Sequence, residues 1–415
     1  MQDMTINAIG AQGDGLARFE DGKPAFVPLT LPGETVRAQM EGARGEVVEI
    51  LTASADRVTP PCKHFGHCGG CALQHWAPQP YLGWKAEQIR VQLSMEGLET
   101  EILPTFAASP ASRRRVALHA RKGGKGQGAR LGFKERRSWN LVSLEECPVT
   151  DPRLVAAFPA LAKLAEPFLE HPKSAPTLHV TLTATGLDID VTGVERKSGG
   201  LSADARMRAA MAASQGDFAR VTLAGETVYG ARQPMVKLGP AVVALPPGSF
   251  LQAVPAAERA MVAFAVAEAQ GASRIADLYC GVGTFTFRLA EIGAVYAAEM
   301  SPPAIAALKS ALGAAPGLKP ITAEARDLVK RPMLSTELAK TDVVVIDPPR
   351  AGAAEQTVEI AKSKVAKVVS VSCNPATFAK DARALVEAGF RLEKVLPVDQ
   401  FVWSPHIELV GVFTR

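Results

Sequence analysis

At 415 residues, with 47% hydrophobic and 21% charged residues, the chain is too long for one ordinary core and too apolar for extended disorder, so two or three folded domains are expected. A net charge of +4 neither requires nor forbids an anionic partner, so the distribution of charge must decide. No run of about 18 apolar residues suggests a membrane span, and the opening MQDMTINAIG has neither an export nor a transit pattern, so a cytoplasmic protein with no membrane partner is expected.

Residues 1–52 read as short strands, TINAI, LARF, AFV, TVRAQM and EVVEI, separated by Gly-Asp-Gly at 13–15 and the Asp21-Gly22 turn. That is the pattern of a small β-barrel. Pro60-Pro61 breaks the chain, Cys62, Cys68 and Cys71 follow, and KAEQIRVQL has the period of an amphipathic helix. Between Arg113 and Arg137 stand ten Lys or Arg against one acid, Glu135, with Trp139 just beyond. Helix-like LVAAFPALAKLAEPFL and strand-like TLHVTLTATGLDIDVTG then suggest an α+β central domain. After about residue 236, helices alternate with the apolar strands RIADLY, AVYAAE, DVVVID and KVVSVS, which implies βαβ units and a mostly parallel, Rossmann-like α/β sheet. The expected division is 1–55, 56–235 and 236–415.

IADLYCGVGTFTF sets Gly281 and Gly283 between a strand and a helix, where glycine lets a ligand approach the backbone, and Glu299 ends the next strand. The pair alone is equally a tight turn. The third, phosphate-binding glycine is missing and Thr284-Phe285 opens the helix instead, which suits a nucleoside cofactor without pyrophosphate, S-adenosylmethionine rather than NAD. Asp347-Pro348-Pro349-Arg350 and Ser372-Cys373-Asn374-Pro375 each follow an apolar strand, so both fall outside the carboxyl ends of a parallel sheet. Either motif by itself could be a plain strand-to-helix turn; both in register with the glycine loop define a crevice.

SFLQ, DLYCGVGTFTF, DPPR, SCNPATFAKD and PHIELV, in that order, resemble the RNA uracil-5-methyltransferase family, its bacterial ribosomal RNA members above all, and the amino-terminal strands resemble a TRAM domain, an RNA-binding barrel of the OB type. The resemblance implies that Gln252, Tyr279, Glu299 and Asp347 contact cofactor or substrate, with Thr284 and Asp327 as further contacts. Thr284 stands where many relatives have Asn. It also implies that Cys373 is the nucleophile and Glu408 the proton acceptor. Uracil C5 becomes nucleophilic once a thiolate has added at C6, and a carboxylate must later remove the C5 proton. Cys373 precedes a predicted helix, PATFAKDARALVEA, whose amino-terminal dipole favours the thiolate; Cys280 is assigned to packing.

Cys62, Cys68 and Cys71 have the spacing C-x5-C-x2-C, and Cys147 lies beyond the basic run. Four thiolates suit either a [4Fe-4S] cluster or a structural zinc, and the resemblance selects the cluster. The basic run reads either as a solvated face or as a phosphate contact; beside a TRAM-like barrel the RNA reading prevails, with 23S ribosomal RNA ahead of transfer RNA, and a monomer is the default. The competing functions are an amine methyltransferase, which needs no cysteine, and a noncatalytic RNA-binding iron-sulfur scaffold.

Overall fold

The computed structural model describes residues 1–124, 126–195 and 201–415. Its amino-terminal sheet has six strands, running from Gln2–Thr5 to Arg44–Thr52. Pro24–Val27 turns back to meet Arg44 in parallel and curls the sheet into a barrel. Period-two alternation puts Val36 and Ala38 inside with Met4, Ile6, Ala25 and Val27, a core of small side chains.

A second sheet has seven strands in the order Leu141–Ser143, Ala129–Lys134, Arg115–Lys122, Thr177–Thr183, Gly186–Thr192, Arg220–Leu223, Glu226–Gly230. Helices Phe158–Ala165 and Ala203–Gln215 cover one of its faces, burying Leu118, Leu131, Leu178 and Ile189. The opposite face is polar.

The third sheet places five strands in parallel, Ile321–Ala325, Ala294–Glu299, Arg274–Leu278, Val343–Ile346 and Lys367–Ser372, with Glu408–Thr414 and Arg391–Asp399 closing it antiparallel. Val343–Ile346 shows why such strands read as unbroken apolar runs. Val343 and Val345 enter the core under helices Pro255–Glu268 and Pro302–Leu312, whereas Val344 and Ile346 enter the one under Pro78–Met95 and Pro375–Glu387. The segment FTFRLAEI yields only the short helix Thr286–Leu289. Two-residue strands Glu101–Ile102 and Phe106–Ala107 pair with Arg391–Asp399, so the chain adds to the third sheet before it enters the second. Among the described residues no helix is long and apolar enough to cross a membrane.

Candidate active site and cysteine cavity

The carboxyl ends of the parallel strands gather the glycine loop, Asp347 and Cys373. Tyr279 opens the loop at φ +62°, a left-handed conformation costly for a side chain, with Gly281 at +56° and Gly283 at +100° behind it. Glu299 ties the loop to the neighbouring strand: its carboxylate accepts from the Gly281 N–H at 3.2 Å and from the Ser301 N–H at 2.9 Å. The buried Tyr279 hydroxyl has no hydrogen-bond partner among the described residues, a polar atom left over for a ligand. Thr284 is half-buried in the loop. Asp327 accepts from the N–H groups of Val329 and Lys330. Sequence reading missed Asp277 and Thr286, whose side chains bond to each other beneath the loop; burial pushes the Asp277 carboxyl up to about 7.

Ser372 pairs with Leu409 across antiparallel strands, so Cys373, the next residue along, leaves its strand close enough to Glu408 to feel its charge. One polar chain then links Glu408 to Asp347. Gln400 Nε2 donates to Glu408 Oε1 at 3.0 Å and to Gln252 Oε1 at 2.7 Å, and Gln252 Nε2 donates to Asp347 Oδ2 at 3.3 Å. Gln400 Oε1 also accepts from Ala253 N–H at 3.0 Å. Nothing in the local sequence distinguishes Gln400; only the fold brings it between two motifs some 150 residues apart. Burial, then the charge of Asp347, pushes Glu408 up to about 8, and burial pushes Asp347 up to about 7.

The expected thiolate-favouring effect at Cys373 is outweighed. Asn374 caps the helix Pro375–Glu387 with its side chain, yet burial first, then Glu408 and Asp347, pushes the Cys373 thiol up to about 11, against a smaller opposing pull from Arg350. Desolvation and two carboxylates exceed one helix end. The Asp-Pro-Pro-Arg turn is fixed to the same helix, because Asn374 Nδ2 and the Thr377 hydroxyl both donate to the Arg350 carbonyl. Cys280 is buried in the core as expected.

A cavity of about 450 Å³ is lined by Cys62, Cys68, Cys71 and Cys147 together. Gly70 N–H points at Cys68 Sγ at 3.4 Å and the Thr150 hydroxyl at Cys147 Sγ at 3.1 Å, donors of the kind that stabilise thiolate ligands. Burial pushes Cys71 up to about 12, with the other three thiols adding to it. No group of three or more His, Cys, Asp or Glu among the described residues is arranged to hold a metal ion directly. The loop before Glu408 forms another wall through Phe401, Ser404 and His406. That loop is pinned from both sides: Ala72 and Leu73 N–H donate to the Trp403 carbonyl, while Lys85, fully buried, bonds Asp399 at 2.9 Å and the His406 carbonyl. The backbone of His406 is thus part of the pinned loop.

The basic run divides. Arg114 pairs with buried Glu258 at 2.5 Å and donates to the Gln252 carbonyl at 3.1 Å, while Arg115 holds the Leu251 carbonyl at 2.5 Å, so two of its members brace the Gln252 loop. Arg136 and Arg137 pair with Asp14 of the barrel. Arg121, Lys122, Arg130 and Lys134 have no ion pair among the described residues, and Lys125 lies outside them.

Comparison with known proteins turns this geometry into a family. Residues 242–415 match the family described as tRNA (Uracil-5-)-methyltransferase, and residues 1–49 match the TRAM domain. The chain is 34% identical to the 23S rRNA (uracil(1939)-C(5))-methyltransferase RlmD of Halomonas elongata, over 98% of this chain and 88% of that one. It belongs to the RNA uracil-5-methyltransferase family. An RNA methyltransferase of Caulobacter vibrioides is 87% identical over the full length of both chains. The crystal structure of the Pyrococcus abyssi tRNA (uracil-54, C5)-methyltransferase shares the fold of this uracil-5-methyltransferase, with a TM-score of 0.71 at 21% identity over 100% of both chains. The α/β class and the amino-terminal TRAM domain expected from the sequence are thereby established.

Proposed function

We propose that this enzyme methylates C5 of a uracil in 23S ribosomal RNA, with Cys373 as covalent nucleophile and Glu408 as proton acceptor. The carrying observation is that Cys373 leaves its strand one residue beyond the Ser372–Leu409 pair, close enough to Glu408 to feel its charge, with Gln400, Gln252 and Asp347 joined to Glu408 in one hydrogen-bonded chain. S-adenosylmethionine supplies the methyl group; Tyr279, Gly281, Gly283, Thr284, Glu299 and Asp327 are its proposed contacts, supported by the Tyr279 hydroxyl, without a partner among the described residues, and by Gly281, where a Cβ would meet nothing within 4 Å.

Cys373 Sγ forms a bond to C6 as its proton passes to solvent, and the C5–C6 electron pair moves through C4 onto O4. C5 would then take the methyl group from the bound sulfonium, whose sulfur keeps the bonding pair and leaves as a neutral thioether. Glu408, as carboxylate, removes the C5 proton; the Sγ–C6 bond breaks and the double bond re-forms. Burial, then Glu408 and Asp347, hold the Cys373 thiol up at about 11, so its proton must leave as the bond to C6 forms. The ribosomal substrate is supported by the Halomonas relative's name.

We assign the cysteine cavity to a [4Fe-4S] cluster on Cys62, Cys68, Cys71 and Cys147, because the cavity is large and sulfur-directed donors are in place; zinc is the alternative. Its place under the loop that leads to Glu408 gives it a structural duty, and iron and sulfide content distinguishes the two. The enzymatic reading is tested with undermodified ribosomal and transfer RNA tritiated at uracil C5. Tritium released to water from ribosomal RNA, and lost in Cys373→Ala, is the expected result; methyl incorporation without tritium release would place the chemistry at another atom.

A further inference from the structure

The polar face of the second sheet has, at its Arg115–Lys122 and Ala129–Lys134 edge, a composition that its fold alone does not require. Strand register sets Arg121 opposite Arg130 and His119 opposite Gly132, and alternation brings Lys134 to the same side as Arg130. Leu118, Ala120 and Leu131 point the other way, into the core. Two guanidinium groups directly across from each other repel, and neither has a carboxylate among the described residues to offset this. Arg130 is held instead by the Ser143 hydroxyl and the Leu141 carbonyl. The acids on this side, Asp188 and Asp190, lie beyond it on Gly186–Thr192. Arg220 neutralises the first, and the second accepts from Thr222 and Gly225.

At the outer edge stands Trp139, 78% exposed, the most exposed aromatic side chain among the described residues. Lys134 Nζ lies 3.8 Å from its ring centre, so one face of the indole is covered by a cation and the other is open. The turn carrying it is anchored at its amino-terminal end. Cys68 bridges Glu135, Gly69 N–H donates to the Lys134 carbonyl at 2.9 Å, and Arg136 and Arg137 tie the turn to Asp14 of the barrel. A large apolar ring fixed in water costs free energy unless something covers it. At the other end of the same face, about 20 Å along the strand, Arg115 grips the Leu251 carbonyl beside Gln252.

We propose that this face is a docking track for a single-stranded stretch of the substrate RNA, in which Arg121, Arg130 and Lys134 take phosphates and Trp139 stacks on an unpaired base other than the one methylated. The proposal rests on the RNA-methyltransferase reading and adds to it a second point of contact remote from Cys373. Cation and open indole together match the chemistry of single-strand binding, whereas a duplex hides its base faces. The anchored turn also ties RNA grip to the cysteine loop through Cys68 and Gly69.

The test uses the full-length protein with a fluorescent oligouridine about a dozen nucleotides long and an RNA duplex of equal length. Trp139→Ala is expected to weaken oligouridine binding by about 5- to 100-fold and to leave duplex binding and S-adenosylmethionine binding as in wild type. Trp139→Phe should retain most of the affinity, and Arg130→Gln should lower the salt slope by about one phosphate's share. Equal oligouridine affinity in wild type and Trp139→Ala overturns the track. A change of sedimentation in Trp139→Ala with unchanged RNA affinity overturns it in favour of a contact between copies. Failure of the wild type to bind either RNA would instead overturn the RNA reading beneath it.

Discussion

Replacing Glu408 with glutamine keeps its shape and its acceptor for Gln400 while removing its charge, and the structure gives the consequence a sign and a size. An ordinary glutamate carboxyl titrates at 4.5, but in this pocket burial first, then Asp347, pushes Glu408 up to about 8. The folded protein therefore holds a proton that the unfolded chain releases. The resulting stabilisation is complete below pH 4.5 and is lost as pH rises through about 8. Each pH unit in that window is worth about 1.4 kcal/mol, so wild type should lose on the order of 4 kcal/mol that Glu408→Gln keeps. Asp347 adds a loss of the same sign in both proteins. Urea denaturation at pH 5 and pH 9, conditions chosen to bracket the two values, measures the difference. A Glu408→Gln variant whose stability falls with pH as steeply as wild type would refute the argument that Glu408 is buried and protonated. The same variant, given RNA and S-adenosylmethionine, should retain a covalent RNA adduct that survives denaturation, since the C5 proton has no acceptor. In wild type, tritium release should climb with pH up to about 8, as the carboxylate form becomes populated.

Three further substitutions probe the framework. Gln400→Leu removes the donor to both Gln252 and Glu408 and strands the Ala253 N–H; it should cost about 2 kcal/mol in thermal denaturation and reduce tritium release more than S-adenosylmethionine binding. Lys85→Met leaves the buried Asp399 carboxylate without its cation and should cost about 3 kcal/mol, read as a fall in melting temperature. In Gly283→Ala the new Cβ would lie 2.5 Å from Phe287 at φ +100°, so a loss of about 2 kcal/mol and weaker S-adenosylmethionine binding by calorimetry are expected.

Local order along the chain was enough for much of this protein. Period-two runs with glycine turns identified the barrel strands, and apolar strands alternating with helices identified a parallel sheet. Once the sheet type is known, its geometry delivers Gly281, Asp347 and Cys373 to one rim, because side chains at the carboxyl ends of parallel strands share a crevice. What the sequence could not decide depends on surroundings built from distant segments. The helix beginning at Pro375 predicts a depressed thiol at Cys373, yet burial first, then the charges of Glu408 and Asp347, reverse the direction. The basic run looks uniform as letters, but Glu258 and Asp14, remote in sequence, claim Arg114, Arg136 and Arg137, leaving Arg121 and Arg130 without an ion pair among the described residues and Lys134 over an exposed indole. Gln400 carries no local signature at all. Propensity and periodicity are properties of neighbours along the chain, whereas desolvation, ion pairing and hydrogen-bond completion belong to neighbours in space, and only the folded chain supplies those.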